Sequence, residues 1–265
     1  MSLAFIPIMS DFRTSPPPEA EDLLRQQFSQ IISGVQRYLM QERDLFGNIM
    51  YPSAEQGAVR EGEEKKNVSG YPAEPWANTS SLAELNSMIC DCQKCSLGAT
   101  RTKFVFGVGS PKAEIVLIGE APGADEDAKG EPFVGRAGQL LNKILEAIHF
   151  KREEVYICNI LKCRPPGNRD PLPEEVQQCE PYLWKQLEVI KPKIILCLGR
   201  ISAQVLLKTA DSLTKLRENV HDYRGIPLLV TYHPAALLRN PNWKRPTWED
   251  VQKLRKMYDE MKNNE

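Results

Sequence analysis

Four short apolar runs limit what this chain can fold into: residues 114–119 (EIVLIG), 155–159 (VYICN), 193–198 (KIILCL) and 227–232 (PLLVTY). Each has the length of a strand and is apolar nearly throughout, as expected of a strand buried on both faces. Between the runs the apolar spacing turns helical, over 135–149, 173–190 and 202–208, and a last helical stretch covers about 247–261. Pro173 followed by Glu174 and Glu175 is a good helix start, because proline suits the first turn and acids favour its positive end. Strands alternating with helices imply parallel strands joined by right-handed crossovers. The predicted fold class is therefore α/β, a three-layer α/β/α sandwich around a central four-stranded parallel sheet, with no internal repeat.

The regular pattern begins at residue 81. Before it, Pro16-Pro17-Pro18 precedes one amphipathic helix over about 19–43, with Leu24, Phe28, Ile31, Ile32, Val35 and Leu39 on its apolar face. Residues 46–80, rich in Gly, Pro, Ser, Asn and Glu, read as a flexible linker. The expected organisation is an N-terminal extension over 1–45, the linker, and one domain over 81–265. The helix has two readings, packing on its own domain or docking a protein partner. Residues 1–80 carry 7 basic and 11 acidic side chains, so residues 81–265 carry 34−7 = 27 and 35−11 = 24. This mildly basic second part permits a polyanion partner without demanding one. No apolar run is long enough to span a membrane. The apolar patch at 3–9 has no basic residue before it and is not read as a secretory signal. A cytoplasmic, monomeric protein is expected. Its seven cysteines are then metal ligands or core residues rather than disulfides.

Ligands of open parallel sheets bind beyond the carboxyl ends of the strands. There the sequence places Gly119-Glu120-Ala121-Pro122-Gly123 after the first run, Asn159 after the second, Gly199-Arg200-Ile201-Ser202 after the third and His233-Pro234 after the fourth. A carboxylate, an amide and an imidazole thus converge on one edge, which marks a site. The cysteines form a second constellation. Cys92 and Cys95 are spaced C-x2-C in a polar setting, and Cys163 and Cys179 are spaced C-x15-C. Four thiolates from two distant segments can hold tetrahedral zinc or an iron–sulfur cluster. The wide second spacing departs from a zinc ribbon. Cys158 and Cys197, inside apolar runs, read as core, while Cys90 leaves the first cluster with alternative pairings.

Taken together, GEAPG at 119–123, Cys163-Arg164-Pro165-Pro166, the four spaced cysteines and His233-Pro234 resemble family 4 of the uracil-DNA glycosylases, over about residues 85–260. The resemblance implies excision of uracil from DNA, single- or double-stranded, leaving an abasic site. It also implies a structural [4Fe-4S] cluster on Cys92, Cys95, Cys163 and Cys179, with no catalytic metal. On this reading Glu120 stabilises the sugar cation and places water, and His233 donates to uracil O2. Asn159 reads the base, its carbonyl accepting from N3–H and its amide donating to O4. Cytosine presents the opposite pattern, and each mismatch costs of order 1–3 kcal/mol. Ala121 and Phe133 line the base site, Phe133 by stacking. Leu237, Leu238 and Arg239 stand where related enzymes insert a wedge, although both leucines also suit a packed short helix. Gly199 and Ser202 are placed to bind a DNA phosphate through backbone N–H groups, with Arg169, Arg200, Lys244 and Arg245 adding charge. Some relatives trap their product on a histidine in the loop after the second strand. Residues 163–173 contain none, so turnover is favoured over trapping, and the intact Glu120, Asn159 and His233 argue against a non-catalytic DNA- or partner-binding protein on the same scaffold.

Overall fold

The computed structural model describes residues 74–264. The helix expected at 19–43 lies outside the described residues, as does the linker up to residue 73. The elements, in order, begin with a 3-10 turn at Pro75–Asn78, α1 (Leu82–Ile89), α2 (Leu97–Thr100), β1 (Val108–Gly109), β2 (Ile115–Gly119), α3 (Ala124–Lys129) and α4 (Arg136–Ala147). Then follow β3 (Tyr156–Asn159), α5 (Pro173–Ile190), β4 (Ile194–Leu198), α6 (Arg200–Leu207), α7 (Leu213–Glu218) and β5 (His221–Tyr223). β6 (Ile226–Thr231), α8 (Pro234–Arg239) and α9 (Lys244–Asn263) close the chain.

The four apolar runs pair as expected: β3, β2, β4 and β6 lie side by side and parallel. The sheet is larger than the expected four strands. β1 joins β3 and β5 joins β6, both antiparallel, giving a six-stranded mixed sheet in the order β1-β3-β2-β4-β6-β5. These edge strands are two and three residues long and only partly buried, so they carry no apolar run to betray them.

Side-chain alternation along β2 divides the core. Val116 and Ile118 join one apolar cluster with residues of α1, α5, α6 and α7. Ile115 and Leu117 point the other way, into a cluster with Leu141 and Leu145 of α4 and Val251 and Leu254 of α9. Both faces of the sheet are therefore covered, which is the three-layer sandwich. The boundary at residue 81 falls too late. Trp76 and Ala77 are buried in the first cluster, and Trp76 packs edge-on to Tyr182 of α5 at 4.8 Å. A polar composition concealed this single aromatic anchor. Among the described residues no helix is long and apolar enough to cross a membrane.

Candidate active site

The carboxyl ends of β2, β3, β4 and β6 build the site. Asn159, the last residue of β3, is 2% exposed, and its side-chain Oδ1 is buried with no hydrogen-bond partner. Leaving a buried acceptor unpaired costs about 1–3 kcal/mol, so an orphan of this kind marks a place where a ligand donor belongs. Gly119, the last residue of β2, explains how the amide is accommodated. A Cβ at that position would lie 2.3 Å from Asn159 Oδ1 and 2.8 Å from Phe133 Cζ. Asn159 and the Phe133 ring therefore converge over the bare backbone of Gly119. The His233 ring lies against Phe133, with centroids 5.3 Å apart.

Phe133 holds its ring there at some cost. Its φ is +54°, the left-handed region that disfavours a bulky side chain by roughly 1–2 kcal/mol. Glu126 fixes the surrounding loop. One of its carboxylate oxygens accepts the N–H groups of Val134 (2.9 Å) and Gly135 (3.0 Å), and the other accepts that of Gly123 (3.2 Å). Arg152 donates to the carbonyl of Pro132 at 2.6 Å. Sequence reasoning missed Glu126, although its place three residues after a helix cap is the capping-box signal.

His233 caps α8. Its Nδ1 accepts the N–H of Ala235 at 3.2 Å, so the neutral ring carries its proton on Nε2, the atom left to donate. Burial pushes the imidazole pKa down to about 4, helped by the Arg239 guanidinium and opposed by Glu126. At neutral pH the ring is thus an uncharged donor. Behind it, Gly199 has φ +103° and would place a Cβ 3.1 Å from that of His233, so close approach requires glycine there.

Glu120 follows Gly119 directly. Burial raises its carboxyl pKa to about 7, the nearby Asp170 carboxylate adds to the rise, and Arg200 opposes it. Arg200 in turn donates to Asp170 (3.0 Å) and Gln204 (2.9 Å). A buried carboxyl poised near neutrality suits general acid–base work.

Some expected roles fall away. Leu237 is 1% exposed and packs inward, so it cannot wedge into DNA; Leu238, at 46%, is the residue of α8 free to do so. Arg239 is also exposed. Ser202 is fully buried and donates to the carbonyl of Gly199 at 3.2 Å, which leaves only its backbone N–H for a phosphate. Arg169 is engaged by both oxygens of Glu175, at 2.9 and 2.6 Å, and supports the start of α5. Ala121 lies partly buried in the loop after β2.

The thiols of Cys92, Cys95, Cys163 and Cys179 share one region of the core. Burial pushes Cys163 up to about 11 and Cys179 up to about 12, and neighbouring thiols of the set add to both. Cys90 stands apart, its thiol directed to the carbonyl of Ser87. Arg101 clamps the loop by donating to the carbonyls of Cys92 (2.6 Å) and Cys90 (3.0 Å), and it reaches Cys163 Sγ at 3.5 Å. Among the described residues no three donors approach closely enough to hold a single metal ion. The donor set, four sulfurs that accept from Arg101 at Cys163, from the Tyr182 hydroxyl at Cys92 (3.3 Å) and from the Lys162 backbone N–H at Cys179 (3.3 Å), fits an anionic iron–sulfur group.

Comparison with known proteins accords with this geometry. The family model described as the uracil DNA glycosylase superfamily matches residues 106–254. The type-4 uracil-DNA glycosylase of Archaeoglobus fulgidus is 47% identical over 182 residues, covering 66% of this chain and 92% of the relative. The chain belongs to the type-4 uracil-DNA glycosylases. Among the relatives, the type-4 enzyme of Sulfurisphaera tokodaii is 44% identical, over 67% of this chain and 84% of its own length. That of Thermotoga maritima is 43% identical, over 62% and 88%. The family match spans every strand-end residue of the site, from Gly119 to His233, and both Cys163 and Cys179.

Proposed function

We infer that this protein hydrolyses the N-glycosidic bond between uracil and deoxyribose in DNA, releasing free uracil and leaving an abasic site. The observation that carries the reading is the buried, unpartnered Oδ1 of Asn159 beside Phe133. Uracil N3–H is a donor suited to that acceptor, and the flipped base stacks on the aromatic ring. As the bond from C1′ to N1 breaks, its electron pair passes into the base and charge builds on O2. The Nε2–H of neutral His233 donates there without a proton transfer. The Glu120 carboxylate faces the sugar cation and orients the water whose oxygen bonds to C1′; it takes that water's proton, and the departing uracil anion is protonated by solvent. Leu238 fills the gap left in the stack, and Lys244 and Arg245, exposed on α9, contact phosphate. Cys92, Cys95, Cys163 and Cys179 hold a structural [4Fe-4S] cluster, which ties the segment before β1 to the loop after β3 and to α5. The protein acts as a cytoplasmic monomer on single- or double-stranded DNA, and the N-terminal extension is left for a protein partner. Incubating the protein with a uracil-containing oligonucleotide, then treating with alkali, tests the activity: strand cleavage at the uracil supports it, and an intact strand with folded, iron-loaded protein rejects it.

A further inference from the structure

Lys162 is fully buried, among the largest such side chains in the core, and neither the sequence pattern nor the reaction accounts for it. Its ammonium donates to two neutral oxygens, the backbone carbonyl of Asn159 at 2.8 Å and Oε1 of Gln186 at 2.6 Å. Gln186 is itself fixed, its amide donating to the carbonyl of Phe106 (3.0 Å) and the hydroxyl of Tyr156 (3.1 Å). At its other end the same residue touches the cysteine site: the backbone N–H of Lys162 donates to Cys179 Sγ at 3.3 Å. One residue thus bridges the backbone carbonyl of the base-reading residue and a sulfur of the cysteine site.

We propose that Lys162 is a positioning residue that couples the iron–sulfur site to uracil recognition. This rests on the assignment of Asn159 as the base reader. The physical argument is one of over-determination. Asn159 must keep its orphan Oδ1 aimed at the base while nothing bonds to it. The backbone that carries it ends β3, and the next two N–H groups, of Ile160 and Leu161, donate to the carbonyls of Gly119 and Glu120 at 3.0 Å. Lys162 clamps that peptide from below, Gln186 clamps Lys162, and the Cys179 sulfur holds the backbone of Lys162. A cluster that draws Cys179 into place therefore also sets the height of Asn159 over Gly119. Partners that orient a functional group in this way are typically worth about 10–100-fold in activity.

The test uses the holoprotein with Lys162→Met, which keeps length and bulk and removes the donor. The variant should retain its iron and sulfide content and its affinity for uracil-free DNA, while single-turnover uracil excision falls about 10–100-fold. A second readout separates positioning from mere packing. Titrating free uracil into wild-type holoprotein should perturb the visible circular dichroism of the cluster, and the variant should lose that response. If Lys162→Met cannot be loaded with iron, Gln186→Leu decides: it removes the lysine's second anchor outside the cysteine loops and should give a smaller loss of rate with a weakened uracil response. A wild-type rate together with an unchanged uracil response overturns the proposal. Asn159→Ala measured in parallel shows which claim has failed: if it too excises at the wild-type rate, the base-reader assignment is at fault rather than the lysine's coupling role.

Discussion

At the residue scale, the site works by leaving specific groups unsatisfied or uncharged. Gly119 is the most sensitive position, because two functional side chains occupy the space of its missing Cβ. Gly119→Ala should lower uracil excision by more than about 100-fold and cost about 1–3 kcal/mol of stability through overpacking; single-turnover kinetics and urea unfolding measure both. Glu120 and His233 give opposite pH behaviour. The folded carboxyl titrates at about 7 rather than 4.5, so between those values the folded state binds more protons than the unfolded one, and stability falls as pH rises. Glu120→Gln should therefore be more stable than wild type by about 1–3 kcal/mol at about pH 8 and equal to it near pH 4, while losing about 10²–10³-fold in rate. The wild-type rate should climb through about pH 7 as the carboxylate forms. It should then stay level, because His233, neutral above about 4, has no further proton to lose in that range. A rate that instead declines from pH 7 to 9 contradicts both roles. The proposed trio of Glu120, Asn159 and His233 stood out in the sequence because each residue ends or follows an apolar run. Glu126, Arg101 and Lys162 were not: their roles depend on which distant backbone groups the fold brings to them.

At the scale of elements, α8 and α9 hold the histidine in register with the sheet. Asp250 of α9 accepts from Thr231, the last residue of β6, at 2.6 Å and from Arg217 of α7 at 2.8 and 3.0 Å. Thr231 is two residues before His233, so this buried ion pair fixes the approach to α8. Asp250→Ala leaves a part-buried guanidinium and a buried hydroxyl without their partner and should cost about 3–5 kcal/mol, read by denaturant unfolding. It should also lower the excision rate more than it lowers DNA affinity. The central parallel strands and the helix of 173–190 were readable from apolar runs and from a proline-led start. The edge strands were not, since two or three residues, buried only at Tyr223, make no periodic signal. Leu237 and Leu238 show the same limit: adjacent leucines look alike in sequence, and only the pitch of α8 turns one inward and leaves the other exposed.

Across the whole molecule, the proposed [4Fe-4S] cluster staples the N-terminal part of the domain to the sheet. Cys92 and Cys95 lie between α1 and α2, Cys163 follows β3 and Cys179 lies in α5, so the four sulfurs join segments far apart in sequence. Cys163→Ala should lose iron and visible colour and lower the melting temperature by about 5–15 °C, since several kcal/mol of ligation energy correspond to about 2–4 °C each in a domain of this size. Cys90→Ala should change neither. Uracil excision as proposed turns on one hydrogen bond: the orphan Oδ1 of Asn159 accepts N3–H of the flipped uracil. The direct measurement compares single-turnover excision of uracil and of N3-methyluracil from otherwise identical single-stranded oligonucleotides, where base pairing plays no part. Methylation replaces the one donor that the buried oxygen awaits, so the methylated base should be excised at least about 100-fold more slowly. Equal rates for the two bases would contradict it.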